Sequence, residues 1–181
     1  SACAAPAPYC DPNVGACYAC VTDLHCAGAT PRCDVALHRC RGCAVATQSE
    51  DCADGAAPAC DGAAGVCVAP RVDVSGPDEG SLLTLMRPPL TGHATPGQTV
   101  MVQIDGLTVG AVVADMAGDW SFTPTMDLPA GEHRLQAVVS AGPTPTESNV
   151  HTFSLGCTSN DHCGGERALC DAARNACVSC L

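Results

Sequence analysis

The alternation of apolar and polar positions is concentrated in the middle of the chain. Between residues 71 and 156, VMVQID, VGAVVAD, WSFTP, HRLQAVVS and VHTFSL are short β-branched segments of alternating character, with turn residues between them every 8 to 12 positions. A strand sends successive side chains to opposite faces, so each segment has one face to bury. Asp105-Gly106 is a two-residue hairpin signal, and Gly118-Asp119 marks a further turn. Together these features predict an antiparallel β-sandwich of about seven strands.

In the flanking stretches the regular feature is cysteine. Cys10-Asp11, Cys33-Asp34, Cys60-Asp61 and Cys170-Asp171 are followed at one constant spacing by Cys17, Cys40, Cys67 and Cys177. The intervening segments DPNVGAC, DVALHRC, DGAAGVC and DAARNAC are thus one local device, in which the aspartate is expected to form an Asx-turn. Working outward gives a four-cysteine repeat. One copy uses Cys20, Cys26, Cys33 and Cys40; the next uses Cys43, Cys52, Cys60 and Cys67 with longer first loops; the last uses Cys157, Cys163, Cys170 and Cys177. The first copy holds only Cys3, Cys10 and Cys17, matching the second to fourth positions, while Cys180 stands after the last copy where a further repeat would begin. The chain therefore reads as an incomplete repeat (1–19), two repeats (20–42 and 43–70), the sandwich (71–156), and a final repeat with the extra Cys180 (157–181).

Composition supports small stapled units beside one conventional core. Sixteen cysteines in 181 residues, against two Phe, two Tyr and one Trp, leave most of the fold to cross-links and turns. The flanking repeats are expected to be small, disulfide-rich and mostly irregular. The net charge of −11 argues against binding nucleic acid or an anionic membrane surface, both of which need a basic patch. All eight basic residues are arginine, so lysine isopeptide bonds and Schiff-base chemistry are excluded. No apolar run is long enough to span a membrane. The chain begins at Ser1 and lacks an N-x-[ST] sequon; it reads as a mature secreted product, or a segment of a longer one, from an oxidising compartment.

Candidate chemistry is sparse. Cys17/Cys20, Cys40/Cys43 and Cys177/Cys180 are C-x2-C pairs, and the 19 residues between the first two fall within zinc-ribbon spacing. Cys26 and Cys33 lie regularly between them, however, and each pair only joins the end of one repeat to the start of the next, which favours disulfides and predicts no metal or cofactor. His25, His38, His93, His133, His151 and His162 are scattered, no serine sits in a G-x-S-x-G elbow, and the acidic pairs Glu50-Asp51 and Asp78-Glu79 lack a calcium-loop framework. No catalytic role is expected. Trp120 is read as a core residue, and the polar Thr144–Ser148 run offers hydroxyls for O-glycans.

GHATPGQTVMVQIDGLTVGAVVADMAGDWSFTPTMDLPAGEHRLQAV resembles the bacterial Ig-like repeat domain. That resemblance rests on its P-G-x-x-V strand, I-D-G hairpin, A-G-x-W-x-F-T-P strand and L-x-x-G-x-H corner; Met101, Met116 and Met126 depart from the usual Thr and Val. It implies an Ig-like sandwich and a structural role for His133. The cysteine units resemble short cysteine-rich repeats of bacterial surface proteins, including myxobacterial ones.

Four cysteines admit three connectivities, and spacing alone does not choose among them. The working choice is the crossed one, first to third and second to fourth, which closes loops of about 13 residues worth on the order of 3 kcal/mol each. It pairs Cys20 with Cys33, Cys26 with Cys40, Cys43 with Cys60, Cys52 with Cys67, Cys157 with Cys170, Cys163 with Cys177 and Cys3 with Cys17. Cys10 is then left without a partner in its own repeat, and Cys180 without a repeat of its own. Supply and demand match if Cys180 of one chain bonds Cys10 of the next; an odd-stranded sandwich, sending its ends out of opposite faces, disfavours a fold-back within one chain. Heterologous head-to-tail addition gives an open filament. The expected function is a non-catalytic extracellular structural protein whose partners are copies of itself in a homopolymer. The alternative is a stalk or binding segment of a larger bacterial surface adhesin.

Overall fold

The structure, a computed structural model, describes residues 3–27, 30–53, 55–163, 167 and 169–179. The chain forms two compact units, one of Ser1–Pro70 with Thr95–Gln98 and Ala141–Thr144, the other of Arg71–Ala94, Thr99–Ser140 and Pro145–Leu181.

In the first unit each repeat is built on a small antiparallel hairpin: β1 (Tyr9–Asp11) with β2 (Ala16–Tyr18), β3 (Arg32–Asp34) with β4 (Arg39–Arg41), and β5 (Ala59–Asp61) with β6 (Val66–Val68). The aspartate after each third-position cysteine shapes the turn. Asp11 Oδ1 accepts from the Asn13 N–H at 2.8 Å, Asp34 Oδ1 from Ala36 and Leu37 at 3.1 and 3.0 Å, and Asp61 Oδ1 from Ala63 and Ala64, both at 2.9 Å. The last turn residue then takes a left-handed backbone, at Gly15 (φ 65°), His38 (φ 51°) and Gly65 (φ 67°). Glycine enters that region without the Cβ clash that His38 bears. The repeats are thus more regular than composition alone implies. A single helical turn, α1 (Gln48–Asp51), occupies the longer loop of the third repeat, and Cys43, Cys52 and Cys60 pack with Val45 and Cys67 as a small core. Gln98, 2% exposed, closes it by donating from Nε2 to the Gln48 side-chain oxygen at 2.6 Å and the Cys60 carbonyl at 2.8 Å.

In the second unit the sandwich strands are β7 (Ser81–Leu83), β8 (Leu90–His93), β9 (Thr99–Ile104), β10 (Leu107–Val113), β11 (Asp119–Phe122), β12 (Gly131–Val139), β13 (Thr146–Glu147) and β14 (His151–Leu155). One sheet runs β10-β9-β12-β14-β7 with β13 also on β12; β11 and β8 form the other. Val100, Val102 and Ile104 of β9 face inward with Leu90, Trp120, Leu135, Val139 and Phe153, as the period of two requires. Trp120 lies opposite Gly92 across the β11/β8 ladder, and a Cβ on Gly92 would come within 2.5 Å of the indole. Glycine is needed there for close approach.

Eight strands are present where about seven are expected, and one pairing is parallel instead of antiparallel. The chain first bridges to β8 at Val72↔Ala94 and Gly76↔Thr91, then turns through Asp78–Gly80 and joins the other sheet as β7. There Ser81, Leu82 and Leu83 pair in parallel with Phe153, Ser154 and Leu155. The opening segment thereby serves both sheets in succession. Because β7 and β14 run the same way, the chain enters the sandwich at one pole and leaves it at the other. This parallel pairing, and not strand parity, separates the two ends: with eight strands the odd-count argument does not apply.

The fourth repeat continues the second unit. A 3-10 turn, Asn160–His162, precedes the hairpin of β15 (Leu169–Asp171) and β16 (Ala176–Val178), with Asn175 (φ 48°) at the left-handed turn position. It is tied to the sandwich by the Ala130 N–H donating to the His162 carbonyl at 3.1 Å.

Candidate functional site: the open first repeat

Seven disulfides connect the described cysteines other than Cys10. They join Cys3 to Cys17, Cys20 to Cys33, Cys26 to Cys40, Cys43 to Cys60, Cys52 to Cys67, Cys157 to Cys170 and Cys163 to Cys177, with Cα separations of 5.5–5.8 Å. In each complete repeat two bonds pin the hairpin to the loop before it. Cys20/Cys26/Cys40, Cys43/Cys52/Cys67 and Cys157/Cys163/Cys177 bring three sulfurs within 4.8 Å of one another. Those sulfurs are already bonded as disulfides, so no thiolate remains to ligate a metal.

Counting the disulfide of the first cysteine, three contacts recur in the complete repeats. The N–H of the first cysteine reaches the carbonyl of the left-handed turn residue: Cys20 to His38 at 3.4 Å, Cys43 to Gly65 at 3.0 Å, Cys157 to Asn175 at 3.2 Å. The N–H of the third cysteine is accepted by a side chain from the loop between the first and second cysteines: Cys33 by Asp23 Oδ1 at 2.7 Å, Cys60 by Gln48 Oε1 at 3.0 Å, Cys170 by Asn160 Oδ1 at 2.9 Å. Finally, the third cysteine's sulfur is bonded to the first.

In the first repeat none of the three is made among the described residues. Cys10 is a free thiol and exposed, whereas its counterparts Cys33 and Cys60 are buried and Cys170 is half-buried. Cys17 is exposed too, where Cys40, Cys67 and Cys177 are half-buried. Among the described residues no N–H donates to the Gly15 carbonyl and no side chain accepts from the Cys10 N–H. Three groups that a first-cysteine segment satisfies elsewhere stand open together here. Cys180 lies outside the described residues.

Contacts between successive repeats were not anticipated from the sequence. Tyr9 stacks on His25, with ring centroids 3.6 Å apart and planes 1° from parallel, and Tyr18 stacks on His38 at 3.6 Å and 15°. Arg32 Nε meets Asp51 Oδ1 at 2.6 Å and its guanidinium also reaches Asp23 at 2.5 Å, while Arg41 lies 3.7 Å from Asp51 Oδ2. Burial raises the pKa of the Asp51 carboxyl. The Thr47 hydroxyl at 2.5 Å, the Ala44 N–H at 3.0 Å and the Arg32 guanidinium outweigh that effect and hold it below its ordinary value. The signal for these contacts was present as unlike residues flanking identical cysteines, but a repeat alignment weights only what the copies share.

The histidines are dispersed among structural roles. His25 Nδ1 accepts from the Val21 N–H at 3.1 Å and His162 Nδ1 from Thr158 at 3.2 Å, two copies of one loop contact. His133, 3% exposed, joins Asp105 Oδ2 and the Pro129 carbonyl, each at 2.8 Å, and so ties the Asp105-Gly106 turn to the start of β12. Glu79 bonds the Thr152 hydroxyl and N–H, contacts that lower its carboxyl pKa.

No curated protein matches the chain. CopC from Methylosinus trichosporium OB3b shares 11% identity over 49% of this chain and 97% of its own (TM-score 0.36), and fibronectin(III)-like modules of Clostridium thermocellum CbhA share 15% over 48% and 98% (TM-score 0.34). A carbohydrate acetylesterase from Xanthomonas citri shares 21% over 47% of this chain and only 19% of its own length (TM-score 0.34). With its two facing sheets and its P-G-x-x-V, I-D-G and A-G-x-W-x-F-T-P elements in place, the segment 70–155 matches the family model of the bacterial Ig-like domain.

Proposed function

We propose that this protein is a non-catalytic extracellular structural subunit, assembled head to tail into a disulfide-stabilised filament in which Cys180 of one copy bonds Cys10 of the next. The observation that carries the reading is the open first repeat: a free, exposed Cys10 beside an unserved Gly15 carbonyl, where every complete repeat has a first cysteine making both contacts. A segment entering with Cys180 would supply both at once. An Ig-like domain beside a disulfide-rich region fits an extracellular structural or binding module, and among the described residues no helix is long and apolar enough to cross a membrane. The sandwich passes the chain from one pole to the other, which suits a unit that extends an assembly.

Forming the joint removes one proton and one electron from each of the two thiols. A disulfide oxidant, small-molecule or protein, accepts both electrons and is reduced to two thiols. Native material on a gel without reductant is expected to give a ladder or unentered polymer that collapses to the 18.2 kDa chain on reduction. A sharp monomer in both lanes overturns the reading. The second reading, a stalk segment of a larger surface adhesin, is favoured by the same open repeat if a cysteine of one longer polypeptide fills it. The intact reduced mass separates the two: a mass well above 18.2 kDa identifies the longer chain.

A further inference from the structure

On the outer face of the larger sheet, strand pairing sets three unlike side chains in a row. Glu132 of β12 lies opposite Ser154 of β14, and Ser154 opposite Leu82 of β7. Directly opposed residues point to one side of a sheet, and their neighbours His133, Phe153 and Leu155 are buried, so a carboxylate, a hydroxyl and an isobutyl group face solvent together. The fourth repeat stands beside this row. A Cβ on Gly156, just past β14, would come within 2.7 Å of the Asn175 Cβ and carbonyl oxygen, so the turn of that repeat is pressed against the end of the strand. The Ala130 N–H, donating to the His162 carbonyl, holds the same repeat from the β12 side. Between the row and the repeat is a cavity of about 420 Å³, lined also by Arg167, Arg174 and Asn175.

Two of the eight arginines of a chain with net charge −11 thus meet at one cavity. Arg174 Nε lies 3.6 Å from Asp171 Oδ2; among the described residues Arg167 has no carboxylate partner and Glu132 no cationic one. Guanidinium groups and a carboxylate therefore line the same space without neutralising each other. We propose that this cavity binds a short zwitterionic peptide, its terminal carboxylate held by Arg167 and Arg174 and its terminal ammonium by Glu132. A guanidinium fork matches a carboxylate in two parallel hydrogen bonds, and an ammonium donates to a carboxylate in a charge-assisted one. The Ser154 hydroxyl offers a further hydrogen bond, and Leu82, 57% exposed, an apolar surface for the ligand's side chains. The charge count selects the class of ligand. With Asp171 included, the site holds two positive and two negative groups, so a ligand carrying both charges and no net charge is complementary. A polyanion would be repelled by the acidic chain as a whole. The volume falls in the range of small-ligand sites.

The site stands apart from the Cys10 joint, and its test does not depend on assembly. The oxidised full chain is titrated with L-alanyl-L-alanine and followed by amide NMR. Saturable shifts are expected at Glu132, Ser154 and Asn175, with a Kd in the millimolar range or tighter. The N-acetylated dipeptide, which lacks the ammonium, and the dipeptide amide, which lacks the carboxylate, should each bind about tenfold or more weakly, since each leaves a charged partner unpaired. Arg174→Gln and Glu132→Gln should weaken the free dipeptide by the same factor, while Arg87→Gln, at an exposed arginine of the sandwich paired with Asp127, leaves it unchanged. The blocked peptides need no substitution, so the test holds even where a variant disturbs the fourth repeat. An absence of saturable shifts up to about 10 mM, beyond the weakest affinity expected, overturns the site. Acetylated dipeptide bound as tightly as the free form, or affinity retained in Glu132→Gln, reduces the cavity to a simple anion site and overturns the zwitterion. Affinity retained in Arg174→Gln overturns the role of the arginines.

Discussion

Asp51 carries a negative charge into the interior of the first unit, with no accessible side-chain surface. Its retention there rests on partners in full: a hydroxyl, a backbone N–H and two guanidinium groups. Since its folded pKa lies below the ordinary 3.8, the stability it contributes is present in full above that value and is lost as pH falls through the lowered folded pKa. Hydrogen exchange of the Ala44 amide should therefore stay slow from neutral pH down to about 4, relative to its intrinsic rate, and accelerate below. Asp51→Asn removes that acid transition and costs about 2 kcal/mol by leaving buried donors without an anion. At the sandwich, Gly92→Ala sets a methyl against the Trp120 ring and should cost about 1–3 kcal/mol, read by denaturant unfolding followed through the fluorescence of the sole tryptophan. The Trp120 core position and the Gly118-Asp119 turn before it were legible in the residues themselves, because a large aromatic among alternating apolar positions has one place to go. Asp51 was not: beside Glu50 it reads as a solvated acidic turn, and only packing shows that one carboxylate points inward.

At the scale of elements, the cysteine hairpin is a motif written locally. The Cys-Asp dipeptide sets an Asx-turn, four residues close the loop, and the last adopts the left-handed backbone. All of this falls within eight residues, so sequence displays it. The disulfides then hold the hairpin to its preceding loop, in units too small to fold on an apolar core. Replacing Cys163 and Cys177 together by serine removes one of the two bonds of the fourth repeat and should cost about 3 kcal/mol. Limited proteolysis would then cut between residues 157 and 179 while the sandwich stays resistant. A repeat that remains uncut would show that its remaining contacts, such as Ala130 to His162, suffice. The β7/β14 pairing was illegible by contrast. Three residues, Ser-Leu-Leu, carry no directional signal, and their partners lie about seventy positions downstream, where the tertiary fold alone brings them alongside.

For the molecule as a whole, the free Cys10 makes assembly testable with single substitutions. Cys10→Ser and Cys180→Ser should each abolish the reductant-sensitive ladder in homogeneous preparations, while an equimolar mixture of the two should form disulfide-linked dimers and nothing longer, because each variant retains one half of the joint. Mass spectrometry of the peptide containing the Cys10–Cys180 bond is the direct measurement. Polymer persisting in either single variant would place the linkage elsewhere.

The sequence by itself determined what depends on short-range order: the β-sandwich signalled by alternating segments and their turns, the Cys-Asp hairpins, and the count of cysteines by repeat. These are properties of neighbouring residues, and period and spacing record them. Tertiary structure alone decided which of three connectivities each repeat adopts, which flanking residues grip the following repeat, and by which strand pairing the sandwich carries its chain from one pole to the other. Each of these depends on groups far apart in the chain meeting at bonding distance. Local propensity leaves such meetings undetermined, and only the packed fold selects among them.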